Sequence, residues 1–463
     1  MGFASVLRGV AGMLIGVGVA MIFPMLVAVA AGENSAGAFL FGSILCVIAG
    51  AGAYAAGIGD RGSAGFRDAI VVVLVWWVAV PAFAAVPFLA EDLKFADAYF
   101  EAVAAVTTTG GWLSHADAIE TYSGTLWRAE LQWLGGLASL SIAAAIFIRP
   151  VFIGIDTLLP PFSRGEADSS LRSLRNAIAA LSSVYALITA IAFAALAIAG
   201  ASTFEALILA LSLVASGGFA PHEDGIVGFG AVVTWTAFPF IILGGVNFIL
   251  LARLFRGFAV RGRDVETSAY LLILLSVGVL FWLLSDSAGA AALVQEMFNA
   301  ASLMSTNGFI IGEKPTLIVA MVTAIIGGAA VSTAGGFKIL RWLVIMRRSR
   351  EELRRLVVPN IVTGASPVSI EFGVWMHFIV FTIVLAALVL GLAISGADFE
   401  LATAAATSAL SNTGPLISLA DSDADGYAVF SEPVRWLLAG AMILGRLEAA
   451  VALVLLNRAF WRP

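Results

Sequence analysis

The sequence predicts an all-α polytopic membrane protein. Four pseudo-repeats of helix, half-helix, polar return loop and helix surround one axis, and two extra transmembrane helices precede them. Three observations predict this. Of 463 residues, 60% are hydrophobic and only 12% charged, about half the charged share of a soluble domain, so lipid must solvate much of the surface. Apolar stretches of the roughly 20 residues that cross a bilayer recur along the chain. Between some of them lie apolar stretches of half that length, each ending in a small, polar, glycine-bearing run.

The spanning segments fall near 9–31, 37–59, 69–90, 127–148, 177–200, 228–252, 268–285, 316–340, 373–396 and 435–457. The first exceeds the 7–15 residue core of a cleavable signal and reads as a retained helix. The shorter stretches lie near 97–107, 205–215, 296–305 and 401–410. An eleven-residue helix is about 16 Å long, enough to enter half a bilayer but not to cross it. The runs that end them are Thr107-Thr108-Thr109-Gly110, Ala215-Ser216-Gly217-Gly218, Ser305-Thr306-Asn307-Gly308 and Ser411-Asn412-Thr413-Gly414. They recur at intervals of about 100 residues, the mark of an internal repeat. The chain therefore divides into an extension, 1–62, and repeats 63–165, 166–263, 264–360 and 361–463. Asp97, Glu205, Glu296 and Glu400 precede the four runs and are expected at the partly positive N-terminal ends of the half-helices.

Charge gives the orientation. With the N-terminus inside, ten spans return the C-terminus to the cytoplasm. On that topology 19 of the 25 Lys and Arg lie inside; only Lys94, Arg128, Lys314 and Arg435 lie outside, with Lys338 and Arg446 in spans. The positive-inside rule favours this arrangement, and about 20 of the 31 acids then face outward. All four half-helices enter from the outer face.

Four such loops suit a cation pore. An entering potassium ion must lose water, and a ring of backbone carbonyls replaces that shell. Glycine reaches backbone conformations that other residues avoid, while Thr, Ser and Asn supply further oxygens. On this reading the half-helices are pore helices and the runs form a selectivity filter, with K+ at the level of Thr108, Ser216, Thr306 and Asn412. One such run alone would be ordinary helix punctuation; four on one side are a pattern.

Below the filter, segment 316–340 holds Gly327, Gly328, Ser332, Thr333, Gly335 and Gly336 ahead of Lys338. Each interior glycine costs a helix about 1 kcal/mol, so a break is expected. It reads as a loop that gates the pore; close helix packing through small residues is the other reading. Arg446 lies mid-span, where charge costs at least about 2.5 kcal/mol. It is expected to face the pore beneath the filter, repelling cations and tethering the loop, in preference to pairing with Glu448. Lys338 is expected to snorkel to the interface. Asn247 is as apt to bond a neighbouring helix as to line the cavity.

The resemblance to a known family rests on Phe100-Glu101 through Thr107–Gly110, Arg128 and Gln132-Trp133-Leu134-Gly135-Gly136. It continues with Gly217-Gly218-Phe219, Asn307-Gly308-Phe309, Asn412-Thr413-Gly414-Pro415, the Gly327–Lys338 stretch, Leu444-Gly445-Arg446-Leu447-Glu448 and Phe460-Trp461-Arg462. These resemble the TrkH branch of the Trk, Ktr and HKT potassium transporters over nearly the whole chain. The two extra helices favour that branch over the shorter KtrB branch. The resemblance implies potassium uptake across the bacterial inner membrane, a flexible intramembrane loop at 327–338, a homodimer, and a cytosolic ring of nucleotide-binding TrkA subunits. Related plant transporters with serine at the first filter glycine prefer sodium, so Gly110 implies potassium. Asn307, Ser411, Thr413 and Gly111-Trp112 depart from the family's usual residues.

Other features exclude or add little. There is one cysteine, Cys46, and three histidines, His115, His222 and His377, too scattered for haem or zinc. No P-loop or dinucleotide motif occurs, so no organic cofactor or enzymatic role is expected, and nothing indicates nucleic acid. The basic stretch Arg341 to Arg355 fits membrane lipid as well as a partner. A secondary symporter coupling K+ to H+ or Na+ is the alternative, although carriers usually show two inverted repeats. Asp421, Asp423, Asp425, Gly426 and Glu432 match the spacing of a calcium-binding loop; an acidic outer vestibule is the other reading.

Overall fold

Within lipid, backbone groups must be satisfied inside the segment or in a closed barrel, and this chain takes the first solution. The computed structural model describes residues 2–58, 65–113, 121–147, 170–222, 224–255, 264–358, 368–420 and 426–447, and those residues form helices and turns without a strand. Six helical segments among them are long and apolar enough to span: Phe3–Ala31, Ala36–Ala56, Arg67–Glu91, Ser173–Ile198, Val265–Leu284 and Glu371–Ile394.

The other four expected spans take different forms. Segment 228–252 is two helices, Ala231–Gly244 and Phe248–Phe255, bent by 104°. Segment 127–148 is helical over Tyr122–Ile142 and carries Arg128 and Glu130 in its first half. Segment 316–340 stops as a helix at Ile326, after ten residues. Segment 435–457 begins as Glu432–Leu447, and its remainder lies outside the described residues.

The half-helices are Phe95–Val106, Thr203–Ala215, Ala290–Met304 and Phe399–Ser411. Asp97, Glu205 and Glu400 sit in first turns, where a carboxylate meets the helix's partial positive charge. Ser202 and Glu205 form a complete capping box. Glu296 departs from the expectation. Its helix starts earlier, at Ala290, so the carboxylate is buried further along and accepts a hydrogen bond from Asn299 at 3.2 Å. Asp97 also pairs with Arg435 of the last helix at 2.9 Å.

The N-terminal extension is a hairpin of Phe3–Ala31 and Ala36–Ala56, closed at Gly32 in the left-handed region (φ 71°). Its helices touch through glycine: a Cβ on Gly18 would lie 2.9 Å from Cys46 Cβ and 3.0 Å from Ser43 O. Ser43 Oγ donates to Gly18 O at 2.7 Å across the same contact. The hairpin meets the first repeat where Glu33 accepts from Tyr122 N at 2.6 Å and Gly9 abuts Val72. Overpacking a tight contact costs about 1–3 kcal/mol. Gly18→Leu is therefore predicted to lower the thermal unfolding midpoint of the detergent-solubilised protein, whereas Gly16→Leu, at a glycine with open space beside it, leaves it unchanged.

Candidate functional site

Six non-glycine residues among those described have positive φ, and four of them are Thr108 (51°), Ser216 (55°), Thr306 (60°) and Asn412 (56°). Each is the second residue of its run. That conformation costs roughly 1–2 kcal/mol per residue, and strain of this kind collects where function requires a shape. The fourth residues Gly110, Gly218 and Gly308 are also positive, at 68°, 66° and 74°. Gly414 is not, and Pro415 follows it.

The glycines meet the neighbouring loops in a closed cycle. A Cβ on Gly110 would strike the Gly217 carbonyl oxygen, and one on Gly218 would strike that of Asn307. A Cβ on Gly308 would lie 3.0–3.2 Å from the Pro415 ring. A Cβ on Gly414 would lie 2.5 Å from Thr109 O, which itself accepts from Gly414 N at 2.6 Å. The first loop thus touches the second, the second the third, the third the fourth and the fourth the first. At three of the four junctions, a third-position carbonyl occupies the space that the missing side chain leaves.

Within three loops the first and third side chains bond each other. Thr107 Oγ1 and Thr109 Oγ1 are 2.7 Å apart, Asn307 Nδ2 donates to Ser305 Oγ at 2.9 Å, and Ser411 Oγ donates to Thr413 Oγ1 at 3.1 Å. The second loop has Ala215 and Gly217 there. Gln132, from the helix Tyr122–Ile142, reaches in and donates to Gly217 O at 3.2 Å. Beyond the glycines the repeats pair differently. Glu101 and Asn299 accept from Leu113 N and Ile311 N at 2.8 and 2.9 Å in the first and third. Ser212 and Ser408 brace the second and fourth. Glu101 also pairs with Arg128 at 3.2 Å, and Arg128 with Glu91 at 3.1 Å.

The strip from Gly327 to Lys338 bonds three of the loops directly and the first through Arg446. Ser216 Oγ and Thr333 Oγ1 are 2.8 Å apart, Gly335 N donates to Thr306 Oγ1 at 2.8 Å, and Gly336 N donates to Ser411 O at 3.0 Å. The fourth link is Arg446. Its buried guanidinium donates to Thr107 O at 2.6 Å, to Thr108 Oγ1, and to Thr333 O at 2.9 Å. The strip also satisfies the bend in the second repeat: Ala329 N donates to Gly245 O at 2.8 Å, Thr333 Oγ1 to Gly244 O at 3.1 Å, and Phe248 N to Val331 O at 2.7 Å. Gly328 is wedged against Ser332, Ala334 and Gly245.

Two single residues resolve here. Lys338 does not snorkel. With φ 78° its ammonium turns back into the strip, donating to Ser332 O at 3.3 Å and to Ala334 O. The orphaned carbonyls of a non-helical turn attract the charge more closely than the interface does. Asn247 bonds a neighbouring helix, donating to Glu266 Oε2 at 3.1 Å, while Glu266 Oε1 accepts from Ala330 N at 2.6 Å. Glu266 escaped sequence reasoning because it opens a spanning helix among inner-side charges; a carboxylate there reads as solvated. Beneath the strip a cavity is lined by Lys338, Arg341, His377, Gly335, Leu444 and Arg446. His222, a half-buried loop histidine, lies tilted against Phe229 with ring centroids 5.6 Å apart. His115, Glu448 and the calcium-loop residues Asp421 to Asp425 lie outside the described residues.

The family model for TrkH, described as cation transport protein, matches residues 36–284 and 267–460. A Trk system potassium uptake protein TrkI of Halomonas elongata is 29% identical across 99% of this chain and 97% of that protein. The TrkH of Salmonella typhimurium is also 29% identical, over 96% of each. The crystal structure of the potassium transporter TrkH from Vibrio parahaemolyticus superposes with a TM-score of 0.86 over the whole of both chains at 27% identity. An integral membrane chain with this helix content, matched along nearly its full length, belongs to the TrkH family of cation transport proteins, a family of transporters and not of enzymes.

Proposed function

We propose that this chain takes up potassium ions through a pore along the axis of the four return loops. The single observation that carries the reading is the cycle of glycine-to-neighbour contacts: four loops that close on one another enclose one axis, and carbonyl rings are how protein replaces a cation's water. Thr107–Gly110, Ala215–Gly218, Ser305–Gly308 and Ser411–Gly414 act as the filter in this reading, with K+ held at the level of Thr108, Ser216, Thr306 and Asn412. The names of the relatives, potassium uptake proteins of Trk systems, support the choice of ion.

The strip Gly327–Lys338 acts as the gate, drawn in its shut position. Its hydrogen bonds to the second, third and fourth loops occlude the inner side, and Arg446 latches it to the first. The guanidinium also sets a fixed positive charge in the path of a cation. Opening must exchange these bonds for water, and Gly327, Gly335 and Gly336 give the strip the backbone freedom to move. We place the protein in the bacterial inner membrane with both termini cytoplasmic, divided into the extension and four repeats at the boundaries drawn from sequence. It functions as a homodimer with a cytosolic nucleotide-binding subunit of the TrkA type.

The direct test is purified chain in liposomes with opposed potassium and sodium gradients. The reversal potential is expected to follow potassium and to ignore an imposed proton gradient; a potential set by protons would favour a coupled symporter. Substitutions grade the ring. Placing a side chain at positive φ costs roughly 1–2 kcal/mol before any overlap, about tenfold. Gly110→Ala and Gly218→Ala, which meet rigid carbonyls, are predicted to cut potassium uptake at least that much. Gly308→Ala, which meets only the Pro415 ring, should cost less; equal losses would refute the cycle. Hydrogen bonds to charged groups contribute about 1.5–3 kcal/mol each, so Arg446→Ala is predicted to raise the basal leak of the isolated subunit by about tenfold or more. A leak equal to wild type would remove the latch.

A further inference from the structure

We infer that Gln132 is a positioning residue for ion preference, acting through Gly217 as the substitute for a brace that the second loop lacks. The inference rests on the pore reading above and adds a residue from outside the four runs. In the first, third and fourth loops the first and third side chains tie across the strained second residue, at 2.7, 2.9 and 3.1 Å. In the second loop Ala215 and Gly217 have nothing to tie with. The segment Ser216-Gly217-Gly218 carries positive φ at both ends and two glycines, so it is the quadrant with the most backbone freedom.

Gln132 occupies the missing volume. It is 2% exposed, and its Cδ lies 2.5 Å from where a Cβ on Gly217 would stand. Its Nε2 donates to Gly217 O at 3.2 Å. That carbonyl is the one seated against Gly110, so Gln132 fixes both the shape of the second loop and its junction with the first. Its Oε1 is buried with no hydrogen-bond partner among the described residues. An amide that only filled space would not be kept with a bare acceptor, since an apolar side chain of equal size avoids that cost. The donor to Gly217 is what the position requires. Discrimination between K+ and Na+ depends on how firmly the ring resists closing on the smaller ion or how its carbonyl dipoles are held, and either route passes through this bond.

The test is the K+/Na+ permeability ratio from reversal potentials of purified, monodisperse protein in liposomes. A hydrogen bond contributes about 0.5–1.5 kcal/mol net, so Gln132→Leu is expected to lower the ratio about twofold or more. Gln132→Met, apolar and of similar length, serves if the leucine variant does not fold. The triple variant Gln132→Ala, Ala215→Ser, Gly217→Asn transplants the third loop's pair into the space vacated and is expected to restore the ratio. Thr109→Val, which breaks the first loop's own tie, is the control. A lowered ratio in Thr109→Val with an unchanged ratio in Gln132→Leu overturns the role of Gln132 and leaves the pore reading standing. Unchanged ratios in both overturn the link between the loop ties and ion preference, Gln132 included, whereas a wild-type reversal potential that does not follow potassium overturns the pore reading itself. A lowered ratio in Gln132→Leu that the triple variant fails to restore overturns the claim that Gln132 substitutes for the missing pair.

Discussion

Everything in this molecule depends on how the return loops seat against one another. A third-position carbonyl of one loop fits where the neighbouring glycine has no side chain, at Gly110, Gly218 and Gly414, and the Pro415 ring closes the remaining junction at Gly308. The glycines therefore have a second duty besides conformational freedom: they are the sockets of a ring. Loops of this kind cannot exist alone inside a membrane, because their backbone groups would lack partners. Gly414 N finds Thr109 O, Gly335 N finds Thr306 Oγ1, and Arg446 finds Thr107 O. The surrounding half-helices are buried over most of their length and hold the loops at depth.

The strip beneath the ring is satisfied the same way, and its partners tie two repeats together. The helix bend at Gly245 frees carbonyls that the strip's own donors fill, while Glu266 anchors both Asn247 and Ala330. The broken helix of the third repeat and the bent helix of the second thus complete each other's hydrogen bonding. The strip is anchored in the core at Val331 and Phe337, but its contacts with the return loops are hydrogen bonds to polar groups, which exchange for water at small net cost. That is the physical property a gate needs. Lys338 and Arg446 add charge at the same level, each stabilised by carbonyls that point at it.

Much of this was legible in the sequence. Half-length apolar stretches ending in Thr107–Gly110 and its three counterparts announce the four half-helices, because length in a bilayer is a hard constraint. The break after Ile326 followed from four glycines in ten residues, and Arg446 from the cost of charge at mid-span. What escaped depends on contacts far apart in the chain. Gln132 stands in a motif that carries the family resemblance, yet nothing local marks its contact with Gly217 across 85 residues. The 104° bend near Asn247 looked like one span, since Gly244-Gly245 occurs also in tightly packed straight helices. The distance of Glu296 from its loop predicts a helix start there, yet the helix begins at Ala290. Sequence position predicts that Lys338 behaves as a long cation near an interface, but the carbonyls of a turn lie within closer reach.

The central claim is that one cation site lies on the axis shared by the four loops. The most direct measurement is anomalous diffraction from crystals in which rubidium or thallium replaces potassium. The account predicts density on that axis, at the level of Thr108, Ser216, Thr306 and Asn412, with oxygen ligands from all four loops. Density between the loops and the lipid, or a site built from one or two loops only, would contradict it.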